Sequence, residues 1–294
     1  MRALLFPLVL LLATPVTARA LAPAVTADPA PDAQYPAGMA SFQLPSQGSL
    51  LNAVFYLASG KGPHPTMVLF HGFPGNEQNL DLAQAVRRAG WNVLTLHYRG
   101  SWGSPGAFSF AHCVEDADAA VAFVRSSAAV ARYRIDPARI VVAGHSMGGM
   151  MAARAVADNT AAVGAILIDA WDMAADGRRM NADPAYLTRS RREELDGDMP
   201  PLAGTSEDAL VAELEAAPRA IDLIPTAREI LPRPMLILGA ARAGAPTARA
   251  VAAAAQAAGA RNVSLIIMPT DHPFSDHRLA LADAVVRWLA RFGR

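Results

Sequence analysis

The sequence contains a single cysteine, Cys113, among its 294 residues. One cysteine cannot form a disulfide within a chain, whatever the redox state of the compartment. His112 precedes Cys113, but side chains that are adjacent in sequence point in different directions and do not make a catalytic pair. A lone cysteine usually behaves as a small buried hydrophobic residue, so we expect Cys113 to belong to the core.

Charge is also scarce and balanced. Only 18% of the residues are charged, and 26 basic side chains match 26 acidic ones, so the formal net charge is zero. This composition lacks the excess of basic residues that nucleic-acid-binding proteins use, and we expect no nucleic-acid partner. With 52% hydrophobic residues, the chain has the composition of a packed globular protein. A small neutral or weakly charged molecule is the partner that fits this balance.

Only the N-terminus carries an apolar run longer than a strand. Met1-Arg2 is followed by a leucine-rich stretch from Ala3 to Ala13 and by the small-x-small triplet Ala18-Arg19-Ala20. This order is typical of a signal peptide over residues 1–20. The run is shorter than the ~20 apolar residues that span a bilayer, although an uncleaved anchor is the alternative. We therefore predict export to the periplasm or medium, cleavage after Ala20 and no stable membrane insertion afterwards.

The motifs of metal and nucleotide sites are missing too. The glycine-rich stretch Gly144 to Gly149 lacks the lysine of a phosphate-binding loop, and the histidines have no H-E-x-x-H or C-x-x-C spacing. The sequence therefore predicts neither a metal ion nor a cofactor.

Strand and helix patterns alternate along most of the chain. A proline-rich segment from Leu21 to about Gly38 resembles a flexible lead-in, and two strand-like segments follow it. From Pro65 onward, short apolar runs alternate with helical spacing, which predicts a mostly parallel sheet with helices on both faces. The region of about 173–232 contains no clear strand and is too long for a connecting loop, so we predict a small helical cap there.

Gly144-His145-Ser146-Met147-Gly148 carries the strongest chemical signal. It follows an apolar run at Ile140–Ala143 and precedes a helical pattern, which is the strand–turn–helix setting that gives G-x-S-x-G its meaning. The turn presents the serine hydroxyl at the strand end, and the helix N-terminus favours negative charge beside it. We predict that Ser146 is a nucleophile.

Acyl transfer also needs two hydrogen-bond donors for the oxyanion. The N–H of Met147, next to the nucleophile, is one candidate. The loop His71-Gly72-Phe73-Pro74-Gly75 follows another strand, and we predict that the N–H of Phe73 is the other. His71 and His145 both lie at strand edges inside glycine turns, so we expect them to be structural hydrogen-bonding residues.

A general base is expected late in the chain. His272 follows the last predicted strand, whereas its rival His277 lies several residues further on, at the start of the closing helix. We predict that His272 takes the proton of Ser146. Asp271 is adjacent to His272 and poorly placed to orient it.

These three motifs, in this order, resemble the α/β-hydrolase superfamily, and most of all its serine-aminopeptidase-like and acyl-hydrolase branches. The resemblance extends from about Ser41 to Arg294, apart from the cap, so the domain spans residues 21–294 after cleavage. It implies an eight-stranded sheet, a Ser-His-acid triad and no cofactor. A serine at the nucleophile position argues against the dehalogenase and epoxide-hydrolase branches, which use aspartate there.

The triad acid departs from the family pattern. The family usually places this acid after the seventh strand, but no Asp or Glu occurs between Glu229 and Asp271. Some members carry it after the sixth strand, where this chain has Asp169 and Asp172. We favour Asp169, because it lies at the strand end itself, with Asp172 as the alternative.

The sequence thus predicts an exported serine hydrolase with Ser146, His272 and Asp169 as its triad. A small-molecule ester is the expected substrate and an amide or peptide the alternative, since the motifs serve both. A different class of function also stays open. Without the usual acid, the chain would be a degenerate hydrolase fold that binds a ligand or partner and has no catalytic activity.

Overall fold

The computed structural model describes residues 19–293. Residues 1–18, which contain most of the predicted signal peptide, and residue 294 lie outside the described part of the chain. The predicted cleavage after Ala20 and the export of the protein stay predictions.

Eight strands form one sheet, in the order β1-β2-β4-β3-β5-β6-β7-β8. The strand β2 pairs antiparallel with β1 and β4, and the remaining pairs are parallel. This confirms the predicted mostly parallel, eight-stranded sheet. The strands are β1 (Gly38–Ser46), β2 (Ser49–Leu57), β3 (His64–Phe70), β4 (Asn92–Leu96), β5 (Ile135–His145), β6 (Ala162–Ile168), β7 (Met235–Ala240) and β8 (Val263–Met268).

The central strands are apolar because helices cover both faces of the sheet. Along β5, Val142 packs into the core on one face and Val141 into the core on the other. Helices α2 (Leu80–Arg88) and α11 (Arg278–Leu289) cover the second of these faces. The helices on the first face include α3 (Phe110–Arg125), α4 (Ser127–Tyr133), α5 (Met147–Asp158) and α10 (Ala245–Ala257). No helix among residues 19–293 is long and apolar enough to cross a bilayer.

Part of the predicted flexible lead-in is bound to the domain, so that prediction is wrong for this part. One helical turn, α1 (Pro23–Thr26), lies beside α2, where Arg88 Nε donates to the Ala24 carbonyl at 2.7 Å. The Ala22 N–H donates to the Asp283 carboxylate of α11 at 2.6 Å. These contacts join residues distant in sequence, which local composition does not reveal.

The segment between β6 and β7 is helical. It contains α6 (Met173–Ala182), α7 (Pro184–Ser190), α8 (Glu207–Glu215) and α9 (Leu223–Glu229). A π-helical turn (Arg191–Leu195) and a 3₁₀ turn (Asp196–Asp198) follow α7, and a second 3₁₀ turn (Arg219–Ile221) precedes α9. Helix α9 packs against α5 and α10, so it belongs to the layer that covers the sheet. Helices α6 and α8 approach at backbone distance, because a Cβ on Gly177 would lie 1.6 Å from the Leu214 carbonyl oxygen.

Candidate active site

Several strands end at the same edge of the sheet, and the predicted site residues follow them. His71 comes directly after β3, Ser146 after β5 and Asp169 after β6, while His272 lies four residues beyond β8. Because these strands are parallel, their C-terminal ends meet where ligands bind in open α/β sheets. The structure therefore brings together the residues that the sequence identified separately.

Ser146 occupies a sharp turn between β5 and α5. Its φ of 56° and ψ of −123° are strained for a residue with a side chain. The turn is fixed by neighbouring backbone: the Ser146 N–H donates to the Ile168 carbonyl at 3.0 Å, and the Trp171 N–H donates to the Ser146 carbonyl at 3.0 Å. A Cβ on Gly144 would lie 1.9 Å from the Gly148 carbonyl oxygen. Glycine is therefore required there for the chain to pass so close to α5.

His272 is hydrogen-bonded to Asp169, with 2.6 Å between Nδ1 and Oδ2. Because an ionised carboxylate only accepts hydrogen bonds, Nδ1 carries the hydrogen and Nε2 is the nitrogen left to accept a proton. The Asp169 side chain is fully buried, whereas that of His272 is 44% exposed. The carboxylate is thus held inside the protein while the ring reaches the cavity.

Backbone N–H groups at the end of β7 and in the loop that follows it also bind the Asp169 carboxylate, in addition to His272. The Ala240 N–H donates to Oδ1 at 2.8 Å, and the Gly244 N–H donates to Oδ2 at 3.1 Å. A Cβ on Gly244 would lie 2.4 Å from Oδ1, so only glycine leaves room for the carboxylate. Asp169 itself has a φ of 42°, a left-handed conformation that turns the chain at the end of β6.

The rival residues have other partners. Asp172 caps α6, where its Oδ1 accepts from the Ala175 N–H at 3.2 Å, and burial raises the pKa of this carboxyl. His277 is hydrogen-bonded to the neighbouring Asp276 at 3.0 Å. Among the residues that the structure describes, neither Asp172 nor His277 is hydrogen-bonded to Ser146 or to His272.

Ser146 and His272 line one cavity of about 590 Å³, between the sheet edge and the helical segment above it. Within the described range 19–293, no hydrogen bond joins the two side chains in this conformation. Hydrogen bonds between catalytic groups are often long without substrate and shorten in the complex. Apolar and aromatic side chains form part of the wall, including Phe73, Trp171 and Met180.

The predicted oxyanion donors lie on two elements beside Ser146. Met147 is the first residue of α5, and Phe73 belongs to the loop after β3 and lines the cavity. In the part of the chain that the structure describes, neither backbone N–H donates to a protein acceptor. The loop is close to the serine, because a Cβ on Gly72 would lie 2.9 Å from the Ser146 Cβ. No protein acceptor among these residues therefore occupies either N–H, which is what a donor to an oxyanion requires.

Two buried histidines support the loops of the site. His71 Nδ1 donates to the Gly72 carbonyl at 2.7 Å, and His145 Nε2 donates to the His272 carbonyl at 2.9 Å. Burial is the main reason that the pKa of each ring is lowered to about 4, so both are neutral at pH 7. The contact of His145 with the His272 backbone escaped the sequence analysis, because 127 residues separate the two positions.

The comparisons with known proteins agree with this architecture. The profile of the alpha/beta hydrolase family matches residues 67–284. A thermophilic carboxylesterase, EstE1, cloned from a metagenomic library, superposes with a TM-score of 0.62 at 19% identity, over 87% of this chain and 90% of its own. A hyperthermophilic esterase from the archaeon Pyrobaculum calidifontis gives 0.62 at 17% identity, over 88% of both chains.

A third structure, Est1E from Butyrivibrio proteoclasticus, gives a TM-score of 0.63 at 16% identity, over 85% of this chain and 98% of its own. At these identities the superpositions establish a shared fold. Activity has to be argued from the site itself.

Proposed function

The chain belongs to the α/β-hydrolase family, and we propose that it is a serine hydrolase that cleaves carboxylic esters through an acyl-enzyme on Ser146. The observation that carries the proposal is the 2.6 Å hydrogen bond between His272 and Asp169, beside a serine in a strained turn that opens into the same cavity. Strained backbone is retained at functional sites when the surrounding structure enforces it.

In the first half of the reaction, the Ser146 oxygen attacks the carbonyl carbon of the ester. His272 Nε2 takes the serine proton, because Nδ1 already donates to Asp169. The carbonyl oxygen becomes negatively charged, and the N–H groups of Phe73 and Met147 donate to it. As the C–O bond to the alcohol breaks, His272 returns the proton to the leaving oxygen, which produces the acyl-enzyme and free alcohol.

In the second half, water replaces the alcohol. His272 accepts a proton from the water, whose oxygen attacks the acyl carbon through the same oxyanion site. The bond to Ser146 breaks, the serine oxygen regains a proton from His272, and the carboxylic acid leaves. Asp169 keeps the ring in the productive tautomer and stabilises the imidazolium in both halves.

An ester is our first choice of substrate. Structures with this fold include proteins described as a carboxylesterase and as an esterase, which supports the choice by analogy only. The same groups would also cleave an amide, with His272 protonating the leaving amine. Parallel assays with 4-nitrophenyl acetate and with a 4-nitroanilide of the same acid separate the two activities.

Labelling by a fluorophosphonate probe tests the proposal, since the probe reacts with an activated serine. We expect the folded wild-type protein to be labelled and Ser146→Ala to be unlabelled. Ser190→Ala is the matched control: the Ser190 hydroxyl is buried in α7 and has no hydrogen-bond partner among the described residues, so its loss should leave labelling intact.

A wild-type protein that folds, as judged by circular dichroism, but resists the probe and hydrolyses neither substrate would contradict the proposal. The same cavity would then be the binding site of a protein without catalytic activity. Labelling that survives in Ser146→Ala would place the reactive serine elsewhere.

A further inference from the structure

The cavity that contains Ser146 and His272 is lined by an excess of acidic side chains. Besides Asp169, the acidic lining residues are Asp172, Asp176, Glu193 and Asp198. No lysine or arginine lines the cavity among residues 19–293, although the chain as a whole carries equal numbers of acidic and basic residues. We propose that the substrate carries a positively charged group, an inference that rests on the proposed hydrolase function.

An acidic cluster alone does not define a ligand site, and here a separate feature identifies one. The carboxylates line the cavity of about 590 Å³ into which the proposed nucleophile opens, and this volume fits a small molecule. In addition, no group of three or more His, Cys, Asp or Glu side chains in the described part of the chain is arranged to hold a metal ion.

Two of the carboxylates are available to a ligand. Asp198 has no hydrogen-bond or ion-pair partner within residues 19–293, and burial raises the pKa of its carboxyl, with no cation acting against this effect. In the described part of the chain Glu193 pairs only with Arg192, at 3.1 Å, and the Arg192 side chain is 76% exposed. Such an exposed pair is weak and screened by salt, so it leaves most of the negative charge of Glu193 uncompensated.

The wall of the cavity also contains a fixed aromatic ring, that of Trp171. Trp171 Nε1 donates to Asp176, whose other carboxylate oxygen accepts from the Tyr186 hydroxyl at 3.0 Å. Phe110 packs edge-on against the Trp171 ring, with 5.8 Å between the centroids. An aromatic face beside carboxylates is the environment that binds ammonium groups through cation–π attraction.

The sign of the charge also affects the product. Ester hydrolysis releases a carboxylate, which the acidic lining repels, whereas it attracts and concentrates a cationic substrate. The cation can be on the alcohol, as a quaternary ammonium, or on the acyl part, as an amine. In both cases an ammonium group enters the cavity. Pairs of substrates that differ only in charge, one pair for the alcohol part and one for the acyl part, distinguish the two cases.

The test compares kcat/KM within two such pairs. Acetylcholine against 3,3-dimethylbutyl acetate examines a cation on the alcohol, and alanine methyl ester against methyl isobutyrate examines one on the acyl part. We expect the charged member of at least one pair to be preferred by about tenfold or more at low salt, because several carboxylates act on it together. The preference should decrease as ionic strength rises.

Matched variants connect this preference to the cavity. Asp198→Asn should lower the charged-to-neutral ratio about threefold, and the double variant with Glu193→Gln should lower it further, since each removes one charge from the lining. Asp196→Asn is the control: Asp196 lies in the same turn, is exposed and does not line the cavity, so the ratio should not change.

A readout that is independent of turnover is the protection of Ser146 from the fluorophosphonate probe. The two ligands compared are choline and 3,3-dimethylbutan-1-ol, which has the same shape as choline but no charge. Stronger protection by choline supports the inference. Equal protection, together with equal kcat/KM in both pairs, overturns it and leaves the hydrolase function intact. Absence of labelling in the folded wild-type protein overturns both.

Discussion

Replacing Asp169 by asparagine tests the proposed triad most directly. The wild-type carboxylate accepts hydrogen bonds from three N–H groups, those of Ala240, Gly244 and His272 Nδ1. Asparagine keeps the shape but has only one acceptor oxygen, so its NH₂ group has to face a donor. If it faces His272, Nδ1 must give up its hydrogen, and Nε2 then carries the hydrogen and cannot accept the serine proton.

The expected loss follows from this change of tautomer. In serine proteases the equivalent substitution lowers kcat by about 10⁴, which corresponds to about 5.5 kcal/mol of transition-state stabilisation. We expect a loss of this order for Asp169→Asn, measured as kcat/KM on 4-nitrophenyl acetate and as the rate of fluorophosphonate labelling. Folding should be weakened by about 1–3 kcal/mol, because the buried amide leaves one N–H unsatisfied.

Asp172→Asn is the matched control, since it makes the same change on the same loop. Asp172 caps α6 and accepts from the backbone of Ala175 and Leu223. Asparagine is also a good helix cap, so stability should change by less than about 1 kcal/mol and kcat/KM by less than about tenfold. The reverse outcome, with Asp172→Asn inactive and Asp169→Asn active, would identify Asp172 as the acid. Full activity of both variants would mean that Ser146 and His272 act as a dyad.

Two further predictions use the surroundings of these residues. Gly244→Ala should lower kcat/KM by about 10²-fold, because the new Cβ would lie 2.4 Å from the Asp169 carboxylate and displace it. Gly38→Ala is the control and should have no effect, because no atom of residues 19–293 lies within 4 Å of its Cβ. The free energy of unfolding should depend on pH through His145, because its pKa of about 4 in the folded protein lies below the ~6.5 of an unfolded histidine. The contribution of the buried neutral ring to stability is therefore present above pH ~6.5 and is lost as the pH falls toward 4. Replacing His145 with glutamine, which does not titrate, should reduce the loss of unfolding free energy between pH 7 and pH 5 by about 2 kcal/mol in urea titrations, and an unchanged dependence would contradict this account.

The positions of Ser146 and His272 at one edge of the sheet follow from local sequence signals. Both residues come after short apolar runs, and parallel strands separated by helices place such positions together. This prediction depends on the order of strands and helices along the chain, and it needs no knowledge of the side-chain contacts of either residue. This is why the order of strands and helices around the site was predicted, while the helix Ser127–Tyr133 was not anticipated.

Other features of the site depend on contacts that no local pattern encodes. The acidic residues of the cavity lie in the segment between β6 and β7, where α6 packs against α8 at Gly177 and so joins parts of the chain that are distant in sequence. The support of the His272 loop by His145 is likewise a contact between distant residues. A single sequence contains the residues for these contacts but not the pairing among them.

The proposed triad acid, Asp169, follows β6, whereas the family usually places this acid after the seventh strand. Strands β6 and β7 are neighbours, with Ile168 paired to Leu238, so a carboxylate leaving either strand end reaches the same place. Asp169 achieves this through its left-handed turn, and the loop after β7 contributes two backbone N–H groups in place of an acid of its own. The position of the carboxylate is therefore set by its three hydrogen-bond donors. Which of the two strands it follows matters less for that position. The lack of an acid after β7 and the glycine at position 244 are two parts of one arrangement, since a side chain there would occupy the space that Asp169 fills.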